Sequence, residues 1–143
     1  MPSIRERLAQ DAAAVSQALD LERNEARSEV QALMQSVLNV NRAYLLAHPE
    51  RALNAQESSR YENYLQRRLQ GEPLAYILGE REFFGLSLKV TPATLIPRPD
   101  TELLVELALA RIPKAGCRVL DLGTGSGAIA LAIAHACPDA TVT

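Results

Sequence analysis

The run Asp121-Leu122-Gly123-Thr124-Gly125-Ser126-Gly127-Ala128 carries the clearest chemistry in the sequence. Three alternating glycines leave no Cβ atom between the main chain and an approaching ligand. Arg118-Val119-Leu120-Asp121 precedes them and predicts a short buried strand, and Ala128–Ala136 predicts a helix that ends before Pro138. A helix N-terminus has unpaired N–H groups and a partial positive charge, so a phosphate or carboxylate is stabilised there. Asp121, at the end of the strand, offers the opposite charge to a cationic group.

Three ligand classes suit a turn of this type. A nucleoside-triphosphate loop needs Gly-Lys-Ser/Thr at its end, which is absent here. A dinucleotide site needs G-x-G-x-x-G/A, and Gly123, Gly125 and Ala128 satisfy it. S-adenosylmethionine sites place an acid at the strand end followed by G-x-G-x-G, a pattern that Asp121, Gly123, Gly125 and Gly127 fit better. That cofactor has no pyrophosphate; its methionine end has one carboxylate and one ammonium. The helix end suits the first, and Asp121 suits the second directly or through water. Both nucleotide readings expect a ribose-binding acid about 20 residues further on, past Thr143.

The elements that position this turn follow from the composition. The 143 residues carry 15 basic and 17 acidic side chains, net −2, so no cationic excess drives binding to nucleic acid or an anionic membrane. Apolar runs fall short of the roughly 20 residues that span a bilayer. Cys117 and Cys137 fit no disulfide framework and no metal site, which points to a reducing, cytoplasmic setting. All seven glycines lie at or after Gly71, so residues 1–70 read as helical. Ser3 with Glu6 and Asn54 with Glu57 are capping boxes. Ile4, Leu8, Ala12, Val15 and Leu19 share one helix face, and Val30, Leu33, Met34, Val37 and Leu38 share a second. Tyr44–Leu46 predict a short third helix before Pro49; Tyr61, Tyr64, Leu65 and Leu69 line a fourth that ends at Gly71.

After Gly71 the period changes. Glu80–Phe84 and Leu86–Val90 flank Gly85 and predict a β-hairpin with a tight turn. Pro92, Pro97 and Pro99 stiffen the next connection, and Leu103, Leu104, Leu107 and Ala108 predict the apolar face of another helix. Ala140–Thr143 opens a second strand. One strand, one helix and one strand onset leave a sheet with open edges, so the chain is expected to be the front of a longer protein or to take the missing sheet from elsewhere.

Several segments together resemble the HemK family, the release factor glutamine methyltransferases. They are Gly71-Glu72-Pro73-Leu74-Ala75-Tyr76-Ile77-Leu78-Gly79-Glu80-Arg81-Glu82-Phe83-Phe84-Gly85, then Thr94-Leu95-Ile96-Pro97-Arg98-Pro99-Asp100-Thr101-Glu102-Leu103, then Val119 through Ala130. The resemblance is looser over residues 1–70. It implies an α plus α/β architecture: a helical bundle at 1–72 that engages the release factor, a β-hairpin linker at 73–98, and at 99–143 the start of a Rossmann-like S-adenosylmethionine methyltransferase domain, truncated here. S-adenosyl-L-methionine would lie against Asp121, Gly123, Thr124, Gly125, Ser126 and Gly127, and Arg98, Thr101 and Glu102 would line the substrate cleft. The methyl group would go to the side-chain amide of the glutamine in a Gly-Gly-Gln motif. An amide nitrogen shares its lone pair with the carbonyl and is a poor nucleophile. The family grips it with an Asn-Pro-Pro-Tyr loop whose oxygens accept both amide hydrogens. That loop does not occur in these residues, so no catalytic residue is expected within them.

A sister family acting on a ribosomal protein shares the layout, but the Pro97–Glu102 wording is closer to the release-factor branch. A second expectation, of another class, is a binding fragment in which residues 1–90 dock the release factor without catalysis. Nicotinamide-dependent oxidoreduction is a third. Arg67 and Arg68 could form a patch for the partner or a solvated helix face; His48 and His135 read as structural, and the cysteines as buried thiols. Oligomeric state is open.

Overall fold

The computed structural model describes residues 2–113 and 116–143, in two compact units divided between Leu78 and Gly79. The first is a helical bundle of α1 (Ile4–Leu19), α2 (Arg23–Leu38), α3 (Arg42–Ala47), α4 (Ala55–Leu69) and α5 (Leu74–Leu78). Both capping boxes form. The Ser3 hydroxyl accepts the Glu6 N–H at 3.3 Å while Glu6 accepts the Ser3 N–H at 2.8 Å. Asn54 Oδ1 accepts the Glu57 N–H at 2.8 Å, and the Glu57 carboxylate returns to the Asn54 N–H at 2.9 Å. Asn39 closes α2 at φ 53°, a left-handed position that asparagine tolerates.

Ile4, Val15, Leu33, Met34 and Tyr61 are fully enclosed and form the centre of the bundle. The N-terminus of α1 is tied to the α3–α4 connection by Ile4 N–H to the Arg51 carbonyl at 2.9 Å. Asn54→Ala should remove one cap, leaving the Glu57 N–H without its side-chain acceptor while the Glu57 carboxylate keeps the main-chain N–H of position 54. A loss of about 1 kcal/mol is expected, read as a lower urea midpoint with unchanged slope; an unchanged midpoint would contradict the role given to the box.

The first unit extends further than the helices read from sequence. Leu74–Leu78, expected as part of the hairpin linker, is helical, packs on α4 and α2, and puts Ile77 into the bundle core. Five consecutive apolar residues show no helical period, so pattern alone is silent there.

In the second unit β1 (Glu80–Phe83) and β2 (Leu86–Lys89) form the expected antiparallel hairpin, with Phe83 opposite Leu86. The connecting residues, Phe84 at φ 50° and Gly85 at φ 75°, are both left-handed, as a type I′ turn requires. Helix α6 (Thr101–Leu109) follows, then β3 (Arg118–Val119), α7 (Ala128–Ala136) and β4 (Thr141–Val142), the two short strands being parallel.

Two expectations are corrected here. Leu103, Leu104 and Leu107 are 59%, 53% and 45% exposed; α6 instead buries Val105 fully, with Ala108 and Leu109 partly covered and Ile112, just past the helix, packed on the same cluster. Positions 105, 108, 109 and 112 also have helical spacing, so the helix offers two apolar faces and the hairpin and α7 take the second. The strand before the glycines is not buried: Leu120 and Leu122 are 65% and 84% exposed, and only Val119 packs against the core. Among the described residues no helix is long and apolar enough to cross a membrane.

Candidate functional site

The glycine-rich turn is held at both ends. On the strand side, Thr141 N–H donates to the Cys117 carbonyl, Thr143 N–H to that of Val119, and Asp121 N–H to that of Thr143, at 2.8 to 2.9 Å. This ladder fixes Asp121 at the C-terminal end of β3. On the helix side, Ala128 is buried at the start of α7, in a cluster with Phe83, Leu88, Val105, Ala132 and Ile133.

Between these anchors the chain turns through Gly123, Gly125 and Gly127 at φ 75°, 58° and 80°, a region that L side chains avoid. Gly127 N–H closes the turn on the Thr124 carbonyl at 2.9 Å, and Gly127 is the N-cap of α7. No side-chain hydrogen bond caps that helix, so its first-turn N–H groups have no side-chain acceptor among the described residues. A Cβ at Gly123 or Gly125 would meet nothing within 4 Å, whereas one at Gly127 would come to 3.3 Å from Leu131 Cδ1. The first two glycines border open space and the third borders its own helix.

Asp121 shows an unmet demand. Its Oδ2 is buried and has no hydrogen-bond partner among the described residues. A buried carboxylate oxygen without a donor costs about 1–3 kcal/mol or more. A ligand that brings an N–H donor to Asp121 and a carboxylate to the uncapped helix end would satisfy both. These are the two charges at the methionine end of S-adenosylmethionine, so the residues present fit that group. Thr124 is exposed and Ser126 half-exposed within the same turn.

The other expected site residues separate. The Glu102 carboxylate accepts the Phe84 N–H at 2.9 Å, a bond across 18 residues that ties the hairpin turn to the first turn of α6. Glu102 therefore holds the scaffold of this unit. Thr101 donates its N–H to the Arg98 carbonyl at 3.1 Å in the turn leading into α6, and Arg98 itself is exposed. Arg67 and Arg68 form neither a patch nor a solvated face. Arg68 grips Glu29 with Nε and Nη2 at 2.7 and 3.1 Å, joining α4 to α2, and Arg67 grips Glu72 at 2.7 and 2.6 Å. Cys117 and Cys137 are half-buried rather than enclosed, and His48 lies against the Tyr44 ring at 4.3 Å between centroids.

Sequence reasoning missed one polar pair. Tyr61 Oη donates to Asp11 Oδ2 at 2.9 Å inside the bundle. Burial raises the Asp11 carboxyl above its ordinary range, partly offset by the Tyr61 hydrogen bond and by Arg7. Burial, then the Asp11 charge, pushes the Tyr61 phenol up as well. The partners are 50 residues apart, and the only local signal was an acid amid the apolar face of α1.

Comparison with known proteins agrees with the first unit and extends beyond it. Residues 12–79 match the family model described as the PrmC N-terminal domain. The release factor glutamine methyltransferase of Salmonella typhimurium (strain LT2) is 54% identical over 117 residues, covering 82% of this chain and 42% of that protein. The enzyme of the same name from Coxiella burnetii is 50% identical over 129 residues, 90% of this chain and 47% of that protein. That from Escherichia coli K12 is 50% identical over 116 residues, 81% and 42% respectively. The chain thus spans less than half the length of these relatives. With a domain-family match in the bundle and half-identity running on through most of the chain, it belongs to the HemK family, that of the PrmC proteins.

Proposed function

We propose that these residues serve S-adenosylmethionine-dependent methylation of the glutamine side-chain amide in the Gly-Gly-Gln motif of peptide-chain release factors. In this reading the bundle engages the release factor, the hairpin links it to the catalytic unit, and residues 99–143 open a Rossmann-like methyltransferase domain. The observation that carries the cofactor assignment is the buried, unpartnered Oδ2 of Asp121 beside glycines that border open space.

When bound, the cofactor supplies an electrophilic methyl group on its sulfonium. The chain's own residues bind and orient. Asp121 accepts from the ammonium, which ends the isolation of Oδ2. The first-turn N–H groups of α7 and its positive end take the carboxylate. Gly123 and Gly125 let the nucleoside approach the main chain, and Thr124 and Ser126 offer hydroxyls at the rim. Arg98, in the turn before α6, and Thr101, the first residue of α6, meet the substrate in this reading. The amide-gripping Asn-Pro-Pro-Tyr sequence does not occur in the 143 residues. Nothing here therefore orients the glutamine nitrogen.

Two measurements test this reading. S-adenosylmethionine added to the isotopically labelled chain should shift the amide resonances of residues 121–128, while NAD should leave them in place. Shifts with NAD alone would favour the dinucleotide reading instead. Incubated with tritiated S-adenosylmethionine and a release factor, the 143-residue chain should transfer no methyl group; robust transfer would show that residues within it grip the amide.

A further inference from the structure

The bundle has a groove that the methyl-transfer reading does not use. It encloses about 920 Å³ between α1, α2 and α3. One face of α1 lines it from end to end, with Ala9 and Ala13 on that face, and Arg23, Arg27 and Gln31 of α2 form the opposite wall. Leu46, 62% exposed, lies at the α3 end.

We propose that this groove docks an acidic amphipathic helix of a partner protein. Two features select that occupant. No acidic side chain lines the groove, although the chain as a whole is net −2; of its three arginines only Arg5 is drawn away, to Glu50 at 3.2 Å. Arginine forks match carboxylates in paired geometry, so Arg23 and Arg27 suit glutamates one turn apart on a partner. The size fits as well. The 16 residues of α1 extend about 24 Å at 1.5 Å each, room for a helix of four turns, and alanines along the wall allow close helix approach. Gln31, 6% exposed, completes the polar part of this wall. This is the helix-in-groove mode of recognition, with apolar anchors on one side and charges on the other. The proposal concerns the bundle alone and stands whether or not the glycine turn binds a cofactor.

The test uses the full 143-residue chain and a fluorescein-labelled synthetic helix of about 16 residues, with leucines at spacings of three and four and glutamates elsewhere. Anisotropy should show binding that weakens as salt rises. The lysine counterpart and a scrambled peptide of the same composition should bind at least about tenfold more weakly. Arg23→Glu with Arg27→Glu should reduce affinity for the acidic peptide about tenfold or more. Ala13→Trp should do so by filling the groove, with the helical circular dichroism of both variants retained. Arg60→Glu, on α4 outside the groove, should change nothing. Equal binding of acidic and basic peptides, or unchanged binding by the double arginine variant, would overturn the proposal. So would groove resonances that respond only to the concentration of the chain itself, since the occupant would then be a second copy.

Discussion

Tyr61→Ala is expected to cost the bundle about 3–5 kcal/mol, the range for truncating a buried aromatic ring. A domain of ordinary stability holds about 5–15 kcal/mol in all, so this one change approaches the limit of folding. The ring is fully enclosed among α1, α2 and α4, and the Arg7 guanidinium lies 5.6 Å from its centroid. Tyr61→Phe separates packing from polarity. It keeps the ring and removes the hydroxyl that donates to Asp11, leaving a buried carboxylate without that donor; about 1–3 kcal/mol is expected at neutral pH.

The pH dependence has a definite sign. The Asp11 carboxyl is raised on folding, first by burial. Its contribution is therefore fully present below the ordinary carboxylate range and is lost as pH rises through the raised folded value. Tyr61→Phe deletes an influence that lowers that value, so the decline should extend to higher pH in the variant. Arg7 opposes and Glu62 reinforces the shift in both proteins. Urea midpoints measured from pH 3 to 8 should diverge between wild type and variant as pH rises. A constant gap, or one that widens toward acid, would contradict the burial-driven assignment.

The second large effect concerns the glycine turn. Gly125→Val should abolish the amide shifts that S-adenosylmethionine produces, because a β-branched residue at φ 58° is strained and its side chain occupies the open space in front of the turn. Asp121→Ala should also abolish them while leaving the main-chain ladder of Asp121 with β4 intact. Wild-type affinity should be weaker than micromolar, because the ribose acid and adenine walls are not among these residues. Calorimetry showing micromolar affinity, or shifts that persist in Asp121→Ala, would count against the turn as the methionine-end site. The core resonances of Ala132 and Ile133 serve as the control for folding, since both lie in α7 away from the substitutions.

How much was legible depends on the range of each interaction. Caps and turns are local, so Ser3-Glu6, Asn54-Glu57 and Gly85 could be read directly from residue types. The α7 boundaries followed from Gly127 and Pro138 for the same reason. Helix α5 was missed because its apolar residues run without a break. The wrong face of α6 was chosen because both faces are apolar, and only the location of Phe83, Leu88 and Ala132 decides between them. Asp121 and the three glycines marked the strand–turn–helix that the structure forms at 118–136. What sequence did not show was that Oδ2 is left without a donor, or that Glu102 is occupied by the Phe84 N–H.

That last bond makes the hairpin a lever. Its tip is fastened to α6 by one carboxylate, and α6 shares Val105 with the same apolar cluster that seats Ala128 at the root of the glycine turn. A load applied at the tip would pass through that bond and the shared cluster to the root of the glycine turn.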